Sequence, residues 1–117
     1  MDKSEILAAF ATRFVRKEFR ERFLHEAAKK PTDLHRRVCH ELEKIFDVSY
    51  KGGNMPFYAG DQCLFLGWSS PISILSWEEA KARIAAGGGG YLAIKSDGSA
   101  FYAEAEGYPP LVYSGRR

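Results

Sequence analysis

Ile6, Leu7, Phe10 and Phe14 recur at intervals of three and four residues, the spacing that places side chains on one face of a helix. Asp2 and Glu5, just ahead of them, have the spacing of a capping box. Val15, Phe19 and Phe23 continue at i,i+4, but on a row rotated from the first, so the helix either kinks near Phe14 or is buried on two sides. It ends by Lys30, because Pro31 disfavours helical geometry in the residue before it. Thr32 or Asp33 can cap a second helix, with Leu34, Val38, Leu42 and Ile45 as its buried stripe. The short connection predicts an antiparallel helical hairpin over residues 1–46.

The pattern changes after that point. Residues 47–60 read as loop with a short strand, and Gln62 to Trp68 as a compact apolar strand between glycines. Pro71 to Leu75 adds an extended piece. Ser76-Trp-Glu-Glu79 is a second capping box, with two acids where the helix dipole favours them. Its helix runs over residues 77–86, and Gly87 can take the left-handed stop position. Tyr91 to Ile94 is a strand, Ser96-Asp97-Gly98-Ser99 a tight turn, and Ala100 to Ala105 the returning strand, with Phe101 and Tyr102 on opposite faces. Pro109-Pro110 is expected to break the chain before a last strand at Leu111 to Tyr113. Together these elements predict an α+β fold: a helical hairpin packed on a small, mainly antiparallel sheet, with one further helix inserted between strands.

The chain has 117 residues, which fits a single domain made of the hairpin (1–46) and the sheet region (47–117). Apolar residues make up 45% of it, enough to bury a core. A formal charge of +2 is too mild to imply nucleic acid by itself. The charge is uneven: residues 1–46 carry eleven Lys and Arg against eight Asp and Glu, residues 47–117 six against seven. No apolar stretch is long enough for a signal peptide or a membrane span, and two cysteines make no disulfide framework, so a reduced cytoplasmic protein that meets no membrane is expected.

Candidate chemistry is sparse. His35 and Cys39 share a helix face, His40 follows, and His25 or Cys63 could complete a tetrahedral metal set, but no C-x-x-C or H-E-x-x-H pattern accompanies them. The plainer reading is a core cysteine with surface histidines, hence no metal and no cofactor. A reactive thiol needs a helix N-terminus or a neighbouring cation, and neither Cys39 nor Cys63 is so placed. Gly87 to Gly90 leads out of a helix into a strand, the reverse of a phosphate loop. With no catalytic set, His35 or His40 as a general base is the remaining enzymatic option.

Two charged features suit binding instead. Arg13, Arg16, Lys17 and Arg20 fall at i, i+3, i+4 and i+7, one stripe of the first helix, which could track phosphates or meet an acidic partner. Glu18 and Glu21 interleave with it and can pair with Arg22 and Lys17. Glu104 and Glu106, two apart on a strand, point to one face and, with Asp97, could form an acidic contact for a basic partner. Tyr50, Phe57, Tyr58, Trp68, Trp77, Tyr102, Tyr108 and Tyr113 supply core and binding anchors.

Phe19-Arg-Glu-Arg-Phe-Leu24, Lys29-Lys-Pro31 and Arg36-Arg37 with His40, followed by Tyr91-Leu-Ala-Ile94, the Asp97-Gly98 turn and Phe101-Tyr-Ala-Glu-Ala-Glu106, resemble a group of small, uncharacterised bacterial α+β proteins over about residues 10–114. That resemblance implies no activity and no catalytic residue. In size and style the chain also resembles the immunity proteins of bacterial contact-dependent and secreted toxins. The expected function is a non-enzymatic protein-binding module, monomer or homodimer, and most specifically an immunity protein that covers its toxin's active site. The alternative is nucleic-acid binding through the basic stripe.

Overall fold

The rotated apolar rows at the N-terminus belong to two separate helices. Asp2 opens α1 (Lys3–Phe14), accepting from the Glu5 N–H at 2.9 Å while the Glu5 carboxylate accepts from the Asp2 N–H at 2.9 Å. The helix stops at Val15, whose extended backbone (φ −91°, ψ 133°) forms an isolated antiparallel bridge with Phe46. A 3₁₀ turn, Lys17–Phe19, then starts α2 (Arg20–Lys29) on a new axis. The break lets Phe14 and Val15 both be buried, which one straight helix with a single apolar face does not allow. A second 3₁₀ turn, Pro31–Asp33, leads into α3 (Leu34–His40); Asp33 makes no side-chain cap there. The structure, a computed structural model, describes residues 2–41, 44, 46, 57–67, 70–87 and 90–114, with backbone alone at 70 and 108–114. Leu42, Ile45, the loop at 47–56, Trp68 and the side chains of Tyr108 and Tyr113 therefore lie outside the described residues, as does Tyr50.

The second half forms one fully antiparallel five-stranded sheet in the order β2-β1-β3-β4-β5, built from β1 (Gln62–Gly67), β2 (Ser70–Ser76), β3 (Gly90–Lys95), β4 (Ala100–Ala105) and β5 (Tyr108–Ser114). Between β2 and β3 the chain crosses β1 through α4 (Trp77–Ala86), whose first turn is capped by the Ser76 hydroxyl accepting from the Glu79 N–H. Gly87 has positive φ (80°) but an extended ψ (−172°), so it redirects the chain without the left-handed helical stop the sequence suggests. Pro109 and Pro110 lie inside β5 rather than before it. They are tolerated because β5 is an edge strand and the register shifts between Ala103 and Ala105 at that point.

Strand alternation sorts the core onto two faces. Leu64, Leu66, Leu92, Ile94, Phe101 and Ala103 meet α1, α2 and α3 on one side. Phe10 is the hub of that layer: its ring lies 5.1 Å from Phe101, edge-on, and 5.8 Å from Phe23. Cys63, Phe65, Tyr91, Ala93 and Tyr102 face α4 on the other side, where Phe57 stacks on Trp77 at 4.4 Å. Phe101 and Tyr102 thus occupy opposite faces, as alternation predicts. No helix among the described residues is long and apolar enough to cross a membrane.

Candidate functional site

The acidic residues divide between the two ends of β4. Asp97 sits in the β3–β4 turn. Its carboxylate accepts from the Ser99 N–H at 2.9 Å and from the Ser99 hydroxyl; although partial burial opposes this, the bonds from Ser99 hold the carboxyl below its ordinary value. Gly98 beside it has φ 77°, and a Cβ there would come 2.7 Å from the Ala9 Cβ, so the turn is pressed against α1. Glu104 lies at the far end of the strand, roughly 16 Å away at about 3.3 Å per residue. Asp97 therefore lies apart from Glu104 and Glu106, and its carboxylate holds the turn.

Glu104 and Glu106 do come together, though not as neighbours on one strand face. β4 ends at Ala105, and Glu106 belongs to the turn that follows. Glu104 pairs in register with Tyr91 and is half-buried; Glu106 is exposed. Both line an open concavity of about 450 Å³ with Ile84, Gly87, Gly90 and Tyr91. The Tyr91 hydroxyl donates to the Gly87 carbonyl and fixes one wall. Burial, and then the charge of Glu104, push the Tyr102 phenol up to about 12. Glu106 also borders a second concavity of about 520 Å³, with Arg36, His40 and Gly107. Among the described residues neither glutamate forms a salt bridge.

The basic residues do not form one helical stripe. Arg13 is in the last turn of α1, Arg16 in the linker, Lys17 in the 3₁₀ turn and Arg20 at the start of α2. The Arg20 guanidinium donates back to the end of α1, through Nε to the Val15 and Ala11 carbonyls (2.9 and 3.2 Å) and through Nη2 to the Thr12 carbonyl (2.9 Å). It supplies a donor to the Thr12 and Val15 carbonyls at the end of α1, while the Ala11 carbonyl also accepts from the Val15 N–H. Arg16 Nε donates to the Phe46 carbonyl at 3.3 Å. The periodicity is real, but it crosses the break at Val15, where the angular relation between residues is lost.

His35 is not the surface histidine its charge suggests. It is 2% exposed, its Nδ1 has no hydrogen-bond partner, and its ring rests against Gly90. Desolvation lowers its pKa, with Arg36 adding to the effect and Asp33 opposing it. Burial and then Glu104 raise the Cys39 thiol to about 11; burial and then Asp61 raise Cys63 to about 12. Both are held as neutral thiols, the opposite of nucleophile activation. His40 is exposed on α3, and His25 lines a separate groove. Among the described residues no three His, Cys, Asp or Glu side chains come together to hold a metal ion.

That groove, about 360 Å³, lies between α2 and α3 and is lined by His25, Lys29, Lys30, Leu34 and Arg37. Arg37 pairs with Glu26 on α2 and with Glu41 at 3.1 Å, tying the two helices. The Arg37–Glu41 spacing was visible in the sequence. The Arg37–Glu26 contact was not, because it depends on how the turn at Pro31 folds α3 back. Family models, curated proteins and solved structures all gave no match to the chain.

Proposed function

We propose that the protein is a non-enzymatic protein-binding module that presents the Glu104–Glu106 end of β4 to a basic partner. The observation that carries this reading is the position of Glu106 between two open concavities, with Glu104 on the wall of one and no salt bridge to either carboxylate among the described residues. Carboxylates on a concave surface steer and orient a cationic partner. Tyr91, itself buried, backs one wall and is held there by its bond to the Gly87 carbonyl. Cys39, Cys63 and His35 are buried, and burial holds both thiols neutral.

In its most specific form the reading is an immunity protein of a bacterial toxin, seated over the toxin's active site; for a nuclease toxin, its basic cleft would face Glu104 and Glu106. Asp97, at the other end of the strand, is not part of the proposed contact. The test is affinity purification of the tagged chain from cells that also express the reading frames beside it. A stoichiometric basic partner, lost on Glu104→Lys with Glu106→Lys while the fold survives, supports the proposal. Recovery of no stoichiometric protein, or of one that the double charge reversal leaves bound, overturns it. The basic-stripe alternative loses ground because Arg20, one of its four members, is already bonded to the end of α1.

A further inference from the structure

The groove between α2 and α3 takes its lining from the same spacing on two elements. His25, Glu26 and Lys29 fall at i, i+1 and i+4 on α2, and Asp33, Leu34 and Arg37 repeat that spacing from the Pro31–Asp33 turn into α3. Lys30 stands between the two sets. Leu34 is buried and contributes apolar lining, while His25, Lys29 and Lys30 are exposed. The Arg37–Glu26 pair ties the helices together, and the groove's volume, about 360 Å³, is at the small end of the range for organic ligands.

The ion pairs around the groove cancel. Arg22, Arg36 and Arg37 are matched by Glu26, Asp33 and Glu41, three charges of each sign in one set of salt bridges. Of the charged residues that line the groove, Lys29 and Lys30 stand outside that set and, among the described residues, form no salt bridge. The C-terminal end of α2, which favours cations, carries only about −0.5 of a charge. The groove therefore keeps an excess of roughly +1.5, with the His25 imidazole beside it.

We propose that this groove binds a small phosphate monoester, with the phosphate held by Lys29, Lys30 and His25 and the organic part against Leu34. The charge of a phosphate monoester at neutral pH, about −1.5 to −2, matches that excess. A carboxylate brings less charge, and its preferred partner is a guanidinium open to bidentate pairing; Arg37 is already held by Glu26 and Glu41. Lysine ammonium groups bind phosphate as point charges and need no such fork. A nucleic-acid strand calls for a row of cations along its backbone, whereas these two lysines are adjacent and Glu26 and Asp33 flank them. The groove shares no lining residue with the concavities at Glu104 and Glu106, so the site is independent of the protein contact proposed there.

Titration of the intact chain with phenyl phosphate, followed by amide NMR, tests this. Phenyl phosphate is expected to bind with a dissociation constant on the order of 1 mM or lower, and to shift the Lys29, Lys30 and Leu34 amides first. Lys29→Gln with Lys30→Gln, at exposed positions and checked for folding by circular dichroism, is expected to weaken binding about tenfold or more. Benzoate, with the same ring and a smaller charge, is expected to bind at least about fivefold more weakly. No binding of phenyl phosphate up to about 20 mM, binding that the double lysine variant leaves unchanged, benzoate bound equally well, or a single-stranded oligonucleotide bound at these lysines more tightly than phenyl phosphate would each overturn the proposal.

Discussion

The imidazole of His35 occupies the space where Gly90 has no side chain. A Cβ at residue 90 would lie 2.7 Å from His35 Cδ2 and 2.7 Å from the Glu104 carbonyl oxygen, with φ at 125°. The glycine thus lets α3 approach the β3–β4 pair closely. Gly90→Ala is expected to destabilise the fold by about 3 kcal/mol, since it combines backbone strain with overpacking against a backbone oxygen that cannot move aside. Urea unfolding monitored by circular dichroism checks it. A loss of less than about 1 kcal/mol would mean that α3 can shift outward at little cost.

The same histidine makes stability depend on pH. Burial lowers its folded-state pKa below the ordinary 6.5, so between the two values the unfolded chain holds the proton and the folded chain does not. Stability is fully present above about pH 6.5 and falls as pH drops toward the folded-state value. The melting temperature is expected to decline between about pH 7.5 and pH 5, and His35→Leu to flatten that decline. Parallel curves for the two proteins would assign the acid sensitivity to other groups.

Arg20 closes the end of α1 from the start of α2, a role invisible in a charge pattern. Replacing it with Ala leaves the Ala11, Thr12 and Val15 carbonyls without the guanidinium. The expected loss is about 2 kcal/mol, the scale of hydrogen bonds to a charged group. Lys, which keeps the charge but not the planar fork, recovers only part of it. Thermal melts of the two variants beside the parent chain check the order. If Lys restores full stability, charge at the α1 C-terminus matters and the directed bonds do not.

Local signals carried most of the fold into the sequence. The Asp2–Glu5 box, the Ser76 cap and the Asp97–Gly98 turn each depend on a few adjacent residues, and each formed where its chemistry required. Alternation along β4 correctly sent Phe101 and Tyr102 to opposite layers. What failed depended on position in three dimensions. Pro109 and Pro110 are disruptive in a central strand and acceptable at an edge, and edge position is set by the order of all five strands. His35 looked exposed because its burial rests on a glycine 55 positions further along the chain. In the acidic pair, Glu104 and Glu106 were legible as a cluster, but the walls around them come from α3, α4 and β3.

Both cysteines are expected to be silent toward solvent reagents in the folded protein. Cys63 is fully buried and Cys39 is 9% exposed. Burial also raises their pKa values to about 12 and about 11, so at neutral pH almost no thiolate forms to attack. A chromogenic disulfide reagent at about pH 8 should release little colour from the native chain and two equivalents after addition of guanidinium. The rate of the slow native reaction should track opening of the fold, and Cys39, on the shorter α3, should react before Cys63 in the sheet. Rapid labelling of Cys39 in the native state would show that α3 leaves the sheet readily, and the packing of His35 against Gly90 would then hold that helix less firmly than its burial implies.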